Sequence, residues 1–408
     1  MLPVSGMTSK PTNHYPLGES NPCFRTENPM SWATRRRGHS MHIALSARRC
    51  VLSSVQQLSG MPYLKYKEPP QNGMHTPGAG HGRLRYTYHT MTPFIRTVTG
   101  DIPPEQLGIT QPHEHIILLP GKSSQVNAAL LLDSPECAIL ELTDYKTAGG
   151  ASIVDAQPIC VERAPLLLQD ISLKSGIRVV ATSGFHRACF YPDGHFLFTE
   201  TAEQLAERII QEITVGMFDY SANQQTSIKA GVVKWTSEYH HIPPVMQKAA
   251  EAAAIAHHRT GVPILTHTEM GTCALEQVEL IKKYGVKPSA MILCHVDRNP
   301  DKYLHKEVAS TGARLVYDGV ARTKYWPDSV IMDLIRAMCE SGFGDHIMLA
   351  MDSASRTIWR HYGYGPGLDY LLKVFVPRLM RIGFSESGVK RLLVKNPALA
   401  LSFSSDCC

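Results

Sequence analysis

Eight short apolar runs rich in β-branched residues, separated by longer segments, restrict the fold of this chain more than any other feature. They are Gly108–Pro112, Ala151–Ala156, Ile177–Ser183, Ala230–Trp235, Val262–Thr266, Ala290–Cys294, Ala313–Tyr317 and His346–Ala350. Between them lie amphipathic stretches such as Ala202–Thr214, Val245–Arg259, Leu275–Tyr284 and Ser329–Ser341. The runs are almost continuously apolar instead of alternating, which is how parallel strands covered on both faces read. Strand–helix alternation implies right-handed βαβ units. Eight such units in roughly 250–320 residues predict an α/β fold of the (β/α)8 TIM barrel type, not an open doubly wound sheet. No Gly-rich dinucleotide fingerprint follows the first run and no P-loop sequence occurs, so neither cofactor chemistry has support.

The barrel is expected over 91–408. The preceding residues 1–90 show no sustained period and are interrupted by Pro3, Pro11, Pro16, Pro22, Pro29, Pro62, Pro69, Pro70 and Pro77. Such a stretch cannot bury enough apolar surface to offset its ordering entropy, so a disordered N-terminal extension is expected. It holds 11 Lys or Arg against 3 Asp or Glu, whereas the remainder holds 30 against 33. The basic character therefore belongs to the leader, and a nucleic-acid partner, which would need a basic stripe on the folded part, is not expected. Three readings of the leader compete: a transit peptide, a phosphate-touching tail around Arg35-Arg36-Arg37, and a start placed too early. The last is favoured, because periodic sequence begins just after Met91. No apolar run reaches the ~18 residues that span a bilayer, so no membrane is expected. Ten cysteines without zinc-finger spacing point to a reducing, cytoplasmic setting.

What stands at the strand ends decides the chemistry. His113-Glu114-His115 follows the first run, Lys234 lies near the end of the fourth, and His267, His295 and Asp352 follow the fifth, sixth and eighth. In a barrel the C-terminal strand ends converge on one mouth, where active sites sit. Residues two apart on a strand share a face, so His113 and His115 can grip one ion while Glu114 points away. Imidazole and carboxylate are ligands that zinc, cobalt or manganese accept. Each residue alone has a plainer reading: a strand-end His as a hydrogen-bonded core residue, the Asp as a cap, Lys234 as a snorkelling side chain. Five strands carrying such residues at one level make coincidence the poorer explanation.

Over Met91 to Phe403 the sequence resembles the phosphotriesterase-like branch of the amidohydrolase superfamily. The resemblance is carried by Thr97-Val98-Thr99-Gly100-Asp101-Ile102, His113-Glu114-His115, Val154-Asp155-Ala156 and Gly184-Phe185-His186. It continues through Ala230-Gly231-Val232-Val233-Lys234, Thr266-His267-Thr268, Cys294-His295-Val296-Asp297-Arg298-Asn299, Met351-Asp352 and Asn396-Pro397-Ala398. It implies a binuclear site. His113, His115 and Asp352 would hold the inner ion, His267 and His295 the outer, and Lys234 would bridge them as a carbamate made with carbon dioxide. The implied metal is zinc by default, with cobalt, manganese or iron compatible. The implied chemistry is hydrolysis by a hydroxide shared between the ions, with Asp352 as the general base.

Val320–Ser329 and Gly363–Leu368 resemble the lactonase subgroup. Some of its members suggest phosphorylated sugar lactones, recognised by a Lys after the seventh strand together with an Arg and a Tyr beyond the final metal-binding Asp. Lys324 is present, but those two positions hold Ser355 and Ile358, with Arg356 one residue further on. Losing a bidentate Arg is not neutral at a phosphate site. Lys324 and Arg356 are therefore taken as the substrate contacts, and the substrate as a small lactone or related carboxylic ester. Phosphotriester hydrolysis and N-acyl amide hydrolysis are the alternatives among enzymes, and a non-catalytic scaffold is the alternative outside them. A homodimer is compatible with the barrel. Trp235, Tyr239, Tyr325, Trp326 and Trp359 are expected on loops above the barrel, lining a leaving-group pocket or packing as a lid. His186 is read as mouth, cap or core, and His240, His241, His257, His258 and His361 as solvated. Cys294 is expected to face away from the site.

Overall fold

The computed structural model describes residues 92–403, so the disorder expected over 1–90 lies outside the described residues. Eight parallel strands form a single sheet in sequence order. They are β1 Thr110–Glu114, β2 Ser152–Asp155, β3 Arg178–Gly184, β4 Val232–Thr236, β5 Ile264–His267, β6 Met291–Cys294, β7 Arg314–Tyr317 and β8 Ile347–Leu349. Pairing is parallel from β1 through to β8. The sheet curls back on itself, and Asp352 N, just past β8, donates to His113 O of β1 at 3.3 Å. This is a (β/α)8 barrel. Among the described residues no helix is long and apolar enough to cross a membrane.

Helices fill the crossovers: α1 Pro135–Thr147, α2 Pro165–Ser175, α3 Ala202–Thr214, α4 Pro244–Thr260, α5 Ala274–Lys283, α6 Lys302–Ser310 and α7 Asp328–Glu340. The four amphipathic stretches read from the sequence are α3, α4, α5 and α7, each within a residue of its expected ends. The start of α3 is fixed by Thr201, whose hydroxyl accepts from Gln204 N while Gln204 returns the bond to Thr201 N. This reciprocal pair satisfies two amides that the first helical turn leaves open.

Strand alternation sorts the core into two layers. Val154, Val180, Val232, Leu265, Ile292, Val316 and Met348 fill the barrel interior, over a floor that includes Ile95, Leu107 and Leu401. Their neighbours Ile153, Val179, Val233, Ile264, Leu293, Leu315 and Ile347 point outward against the helices. Full burial of such a side chain stabilises by about 1.5–3 kcal/mol. The interior column ends below the mouth, and polar residues take over there.

Candidate metal centre

One glycine sets the level of that changeover. Gly184 ends β3 with φ +84°, and a Cβ there would collide with the backbone oxygen of Lys234. Its absence lets β3 and β4 close up at Gly184↔Lys234, with Phe185 N donating to Lys234 O at 2.8 Å. Lys234 follows the same alternation as Val232 and so enters the barrel interior, where it is 1% exposed. Its Nζ donates to Ala156 O at 3.0 Å. Burial lowers the amine to about 8, which raises the share of its neutral form near neutral pH.

Around it the imidazoles gather. Ring centroids lie 4.6 Å apart for His113 and His295, 4.5 Å for His267 and His295, and 5.5 Å for His113 and His115. Single ligand atoms of His113, His115 and Asp352 all lie within 4.8 Å of one another. His186, at the end of β3, adds a fifth ring 5.3 Å from His267.

Each of the rings of His113, His115, His267 and His295 has one nitrogen committed to a supporting group, which fixes where the other points. Asp318 accepts from His113 Nδ1 and from His295 Nδ1, both at 2.8 Å. His115 Nδ1 bonds Gln157 Oε1 at 2.5 Å, and His267 Nε2 bonds Glu269 Oε2 at 2.8 Å. Glu269 is in turn paired with Arg187 at 2.8 Å, which also grips Glu238. Such outer partners select the tautomer and leave the inner nitrogen as a lone-pair donor. Burial then holds His115 and His267 near 4 and His295 well below its usual range, so they stay neutral. His113 Nε2 is buried without a hydrogen-bond partner among the described residues. An unpaired buried nitrogen costs stability. A divalent ion satisfies it, and neutral imidazoles with a carboxylate are the donor set such ions take. The residues present fit a metal.

Asp352 completes the group from β8. It has φ +46°, a left-handed conformation that costs of order 1–3 kcal/mol in a residue other than Gly. Its Oδ1 lies 3.5 Å from His115 Nε2. Its Oδ2 is held by Arg298 at 2.5 Å and Arg322 at 2.7 Å. Burial alone would raise this carboxyl, but Arg322, His115, His295 and Arg298 hold it well below the usual range.

Comparison with known proteins accords with this arrangement. A profile described as the phosphotriesterase family matches residues 93–401. The chain belongs to the phosphotriesterase family. It is 35% identical to a phospho-furanose lactonase of Mycoplasmopsis synoviae, covering 76% of this chain and 92% of that protein. The crystal structure of a lactonase from Listeria monocytogenes superposes with a TM-score of 0.72 at 38% identity, covering 76% of this chain and 99% of the other. A phosphotriesterase homology protein from Escherichia coli, complexed with phosphate in its active site, gives 0.68 at 29% identity, covering 72% and 99%. Membership of the family implies a binuclear divalent metal site, and the His and Asp group at the barrel mouth can bind metal.

Not every residue singled out from the sequence meets at this centre of the phosphotriesterase-family barrel. Lys324 is exposed, with its Nζ 4.8 Å above the Tyr325 ring. That same ring lies 4.6 Å from the Arg298 guanidinium, which ties Tyr325 to the mouth. Arg356 is engaged elsewhere: it donates to Leu131 O at 2.9 Å and pairs with Asp133 at 3.3 Å. Trp235 stands within β4, not on a loop, and is fully buried in the outer core, whereas Trp359 lies in the loop segment after β8 as expected and is fully buried too. Trp235 neighbours Lys234, so an inward Lys234 sends it outward. Tyr239 and Trp326 lie on loops as expected, and both are exposed. His257 is buried, with its Nδ1 bonded to Val262 O at 2.7 Å, and is not solvated. Cys294 also departs from expectation. It points into the interior with Ile292, its Sγ near His113 and Asp318. His295 leaves the strand at φ +67°, so the face-alternation rule fails between these two residues. Asp318, Gln157 and Glu269 were not singled out from the sequence, and Arg298 and Arg322 entered only as members of quoted motifs, with no role given to them.

Proposed function

We propose that this chain is a metal-dependent hydrolase that opens a lactone ring. His113, His115 and Asp352 would hold one divalent ion, His267 and His295 a second, and Lys234, carboxylated by carbon dioxide, would lie between them. Zinc is the first choice, and the same donors accept cobalt, manganese or iron. The observation that carries the reading is the presentation of free ring nitrogens by imidazoles whose other nitrogens are all fixed from behind, with His113 Nε2 buried and unpaired. When bound, divalent ions polarise the substrate oxygen and make water more acidic.

The protein's own groups do the rest. Arg298 and Arg322 fix Asp352 through Oδ2, so Oδ1 is the atom in position to take a proton from the attacking water. Water adds to the acyl carbon, the ring C–O bond breaks, and the proton ends on the departing alkoxide, giving a hydroxy acid. Lys324 contacts the substrate at the mouth, and Arg356 does so after exchanging its bonds to Leu131 and Asp133. The lactonase names of the Mycoplasmopsis and Listeria proteins support a cyclic ester. Ser355 and Ile358 stand where phosphate-binding Arg and Tyr are expected, which favours an unphosphorylated substrate.

Protein purified without chelator should carry about two divalent ions per chain. It should hydrolyse a lactone panel faster than paraoxon-like triesters or N-acyl amines, and lose that activity on chelation. Metal-free protein, or turnover indifferent to chelators, would overturn the reading. Faster triester or amide hydrolysis would replace the substrate.

A further inference from the structure

The ladder that runs from β1 to β8 shows no strand pairing between β8 and β1 among the described residues. Beside the single backbone bond among the described residues, from Asp352 N to His113 O, what joins them is a side chain. Glu114, between His113 and His115, reaches across to the segment after β8, where Oε1 accepts Met351 N at 2.6 Å and Oε2 accepts Ser353 N at 2.8 Å. The Ser353 hydroxyl donates to Oε2 as well. Between these two amides, Asp352 N is held by His113 O. Three successive amides are thus fixed by two successive residues of β1. From the other side, Trp359 Nε1 donates to Ser353 O at 2.8 Å. Glu114 and Ser353 are both fully buried, so water does not compete for these bonds.

We propose that Glu114 is a positioning residue that holds Asp352 in its left-handed conformation and aims its carboxylate at the imidazoles. Unlike Asp318, Gln157 and Glu269, it makes its hydrogen bonds to Met351 and Ser353 and, among the described residues, none to a ligand side chain. It acts on the backbone on both sides of one. Asp352 lies 238 residues from Glu114 in the chain, and an ordinary β-ladder would leave it at a relaxed φ, with its carboxylate turned elsewhere. The same carboxylate therefore closes the barrel and sets the geometry of its mouth. This rests on the reading of Asp352 as a metal ligand.

The test compares the full chain with Glu114→Gln and Ser353→Ala. Glutamine keeps the shape but turns an NH2 toward one of the amides, and alanine removes the hydroxyl donor alone. Three readouts are taken: cobalt(II) affinity with its visible absorption band, kcat and KM, and circular dichroism with thermal midpoint. Folded Glu114→Gln is expected to bind cobalt about 10–100-fold more weakly with an altered band. Its kcat should fall about a hundredfold with KM little changed, as for a misplaced reacting group. Ser353→Ala should move cobalt affinity and kcat in the same direction by a smaller factor. A folded Glu114→Gln whose cobalt affinity, band and kcat stay within about twofold of wild type overturns the proposal, even if its midpoint drops. If Glu114→Gln does not fold, Ser353→Ala decides, and unchanged cobalt binding and kcat there overturn it. Failure of the wild type to hydrolyse any ester would sink the proposed function but leave the cobalt comparison intact.

Discussion

Asp318 receives the Nδ1–H of His113 at 2.8 Å across the mouth of the barrel, linking the end of β7 to the end of β1. Its second oxygen receives His295 Nδ1 at the same distance, so one carboxylate orients two rings assigned to different ions. Burial opposes its charge, but the two imidazoles hold Asp318 well below the usual carboxylate range. Asp318→Asn keeps one acceptor and turns a donor toward the other ring, forcing that ring into the wrong tautomer. Metal affinity, measured by chelator competition, is expected to fall about 10–100-fold while circular dichroism stays native. Affinity within about twofold of wild type would remove Asp318 from its assigned role.

Lys234 yields a sharper outcome. If its carbamate lies between two ions, Lys234→Ala loses the shared ligand, and metal content should fall from about two ions per chain toward one. Turnover should drop by orders of magnitude, and a short-chain carboxylate added in excess should restore part of it by occupying the vacated space. Metal analysis and kinetics with and without the carboxylate check this. Unchanged stoichiometry together with unchanged turnover would exclude Lys234 from the centre.

These two residues also mark how much could be read from the chain. Lys234, His267, His295 and Asp352 were legible because each closes a recognisable apolar run, and barrel geometry sends such ends to one place. Asp318 stands at the end of the seventh run, beyond Tyr317, and the same rule would have selected it. Gln157 and Glu269 each lie two residues beyond a strand, where direction depends on loop conformation and no period speaks. The inward Cys294 was illegible for another reason. Nothing in a non-glycine residue announces the positive φ of His295, and that torsion undoes the alternation. The reach of Glu114 to Ser353 joins opposite ends of the sheet, which spacing alone cannot reveal.

Trp235 separates packing from chemistry. It is fully buried between β4 and the helical layer, and among the described residues its indole nitrogen has no hydrogen-bond partner to lose. Trp235→Ala is therefore expected to cost about 3–5 kcal/mol through the cavity it leaves. Metal affinity of the folded fraction should be unaltered. Urea denaturation with metal titration measures both. A cost under about 1 kcal/mol accompanied by a changed KM would instead place the indole at the substrate, one of the two positions open to it from the sequence.

His305 sets an acid limit on stability away from the mouth. It is 1% exposed on α6, its Nδ1 accepts from Tyr317 Oη at 2.8 Å, and its Nε2 donates to the carbonyls of Val296 and Asn299 at 2.9 Å. The neutral ring satisfies every partner, and protonation would turn a second donor onto Tyr317. Burial holds its pKa below the ordinary histidine value of 6.5 in the folded chain. The unfolded chain therefore binds the proton first, so the His305 contribution is complete above pH 6.5 and declines as pH falls through that value. His305→Asn should cost about 1–3 kcal/mol at pH 7.5, because buried partners are left unpaired. Between pH 7.5 and 5.5 the variant should then lose less stability than wild type, since the group that titrates is gone. Urea midpoints at both pH values give the comparison, and parallel losses in the two proteins would show that His305 does not drive the acid sensitivity.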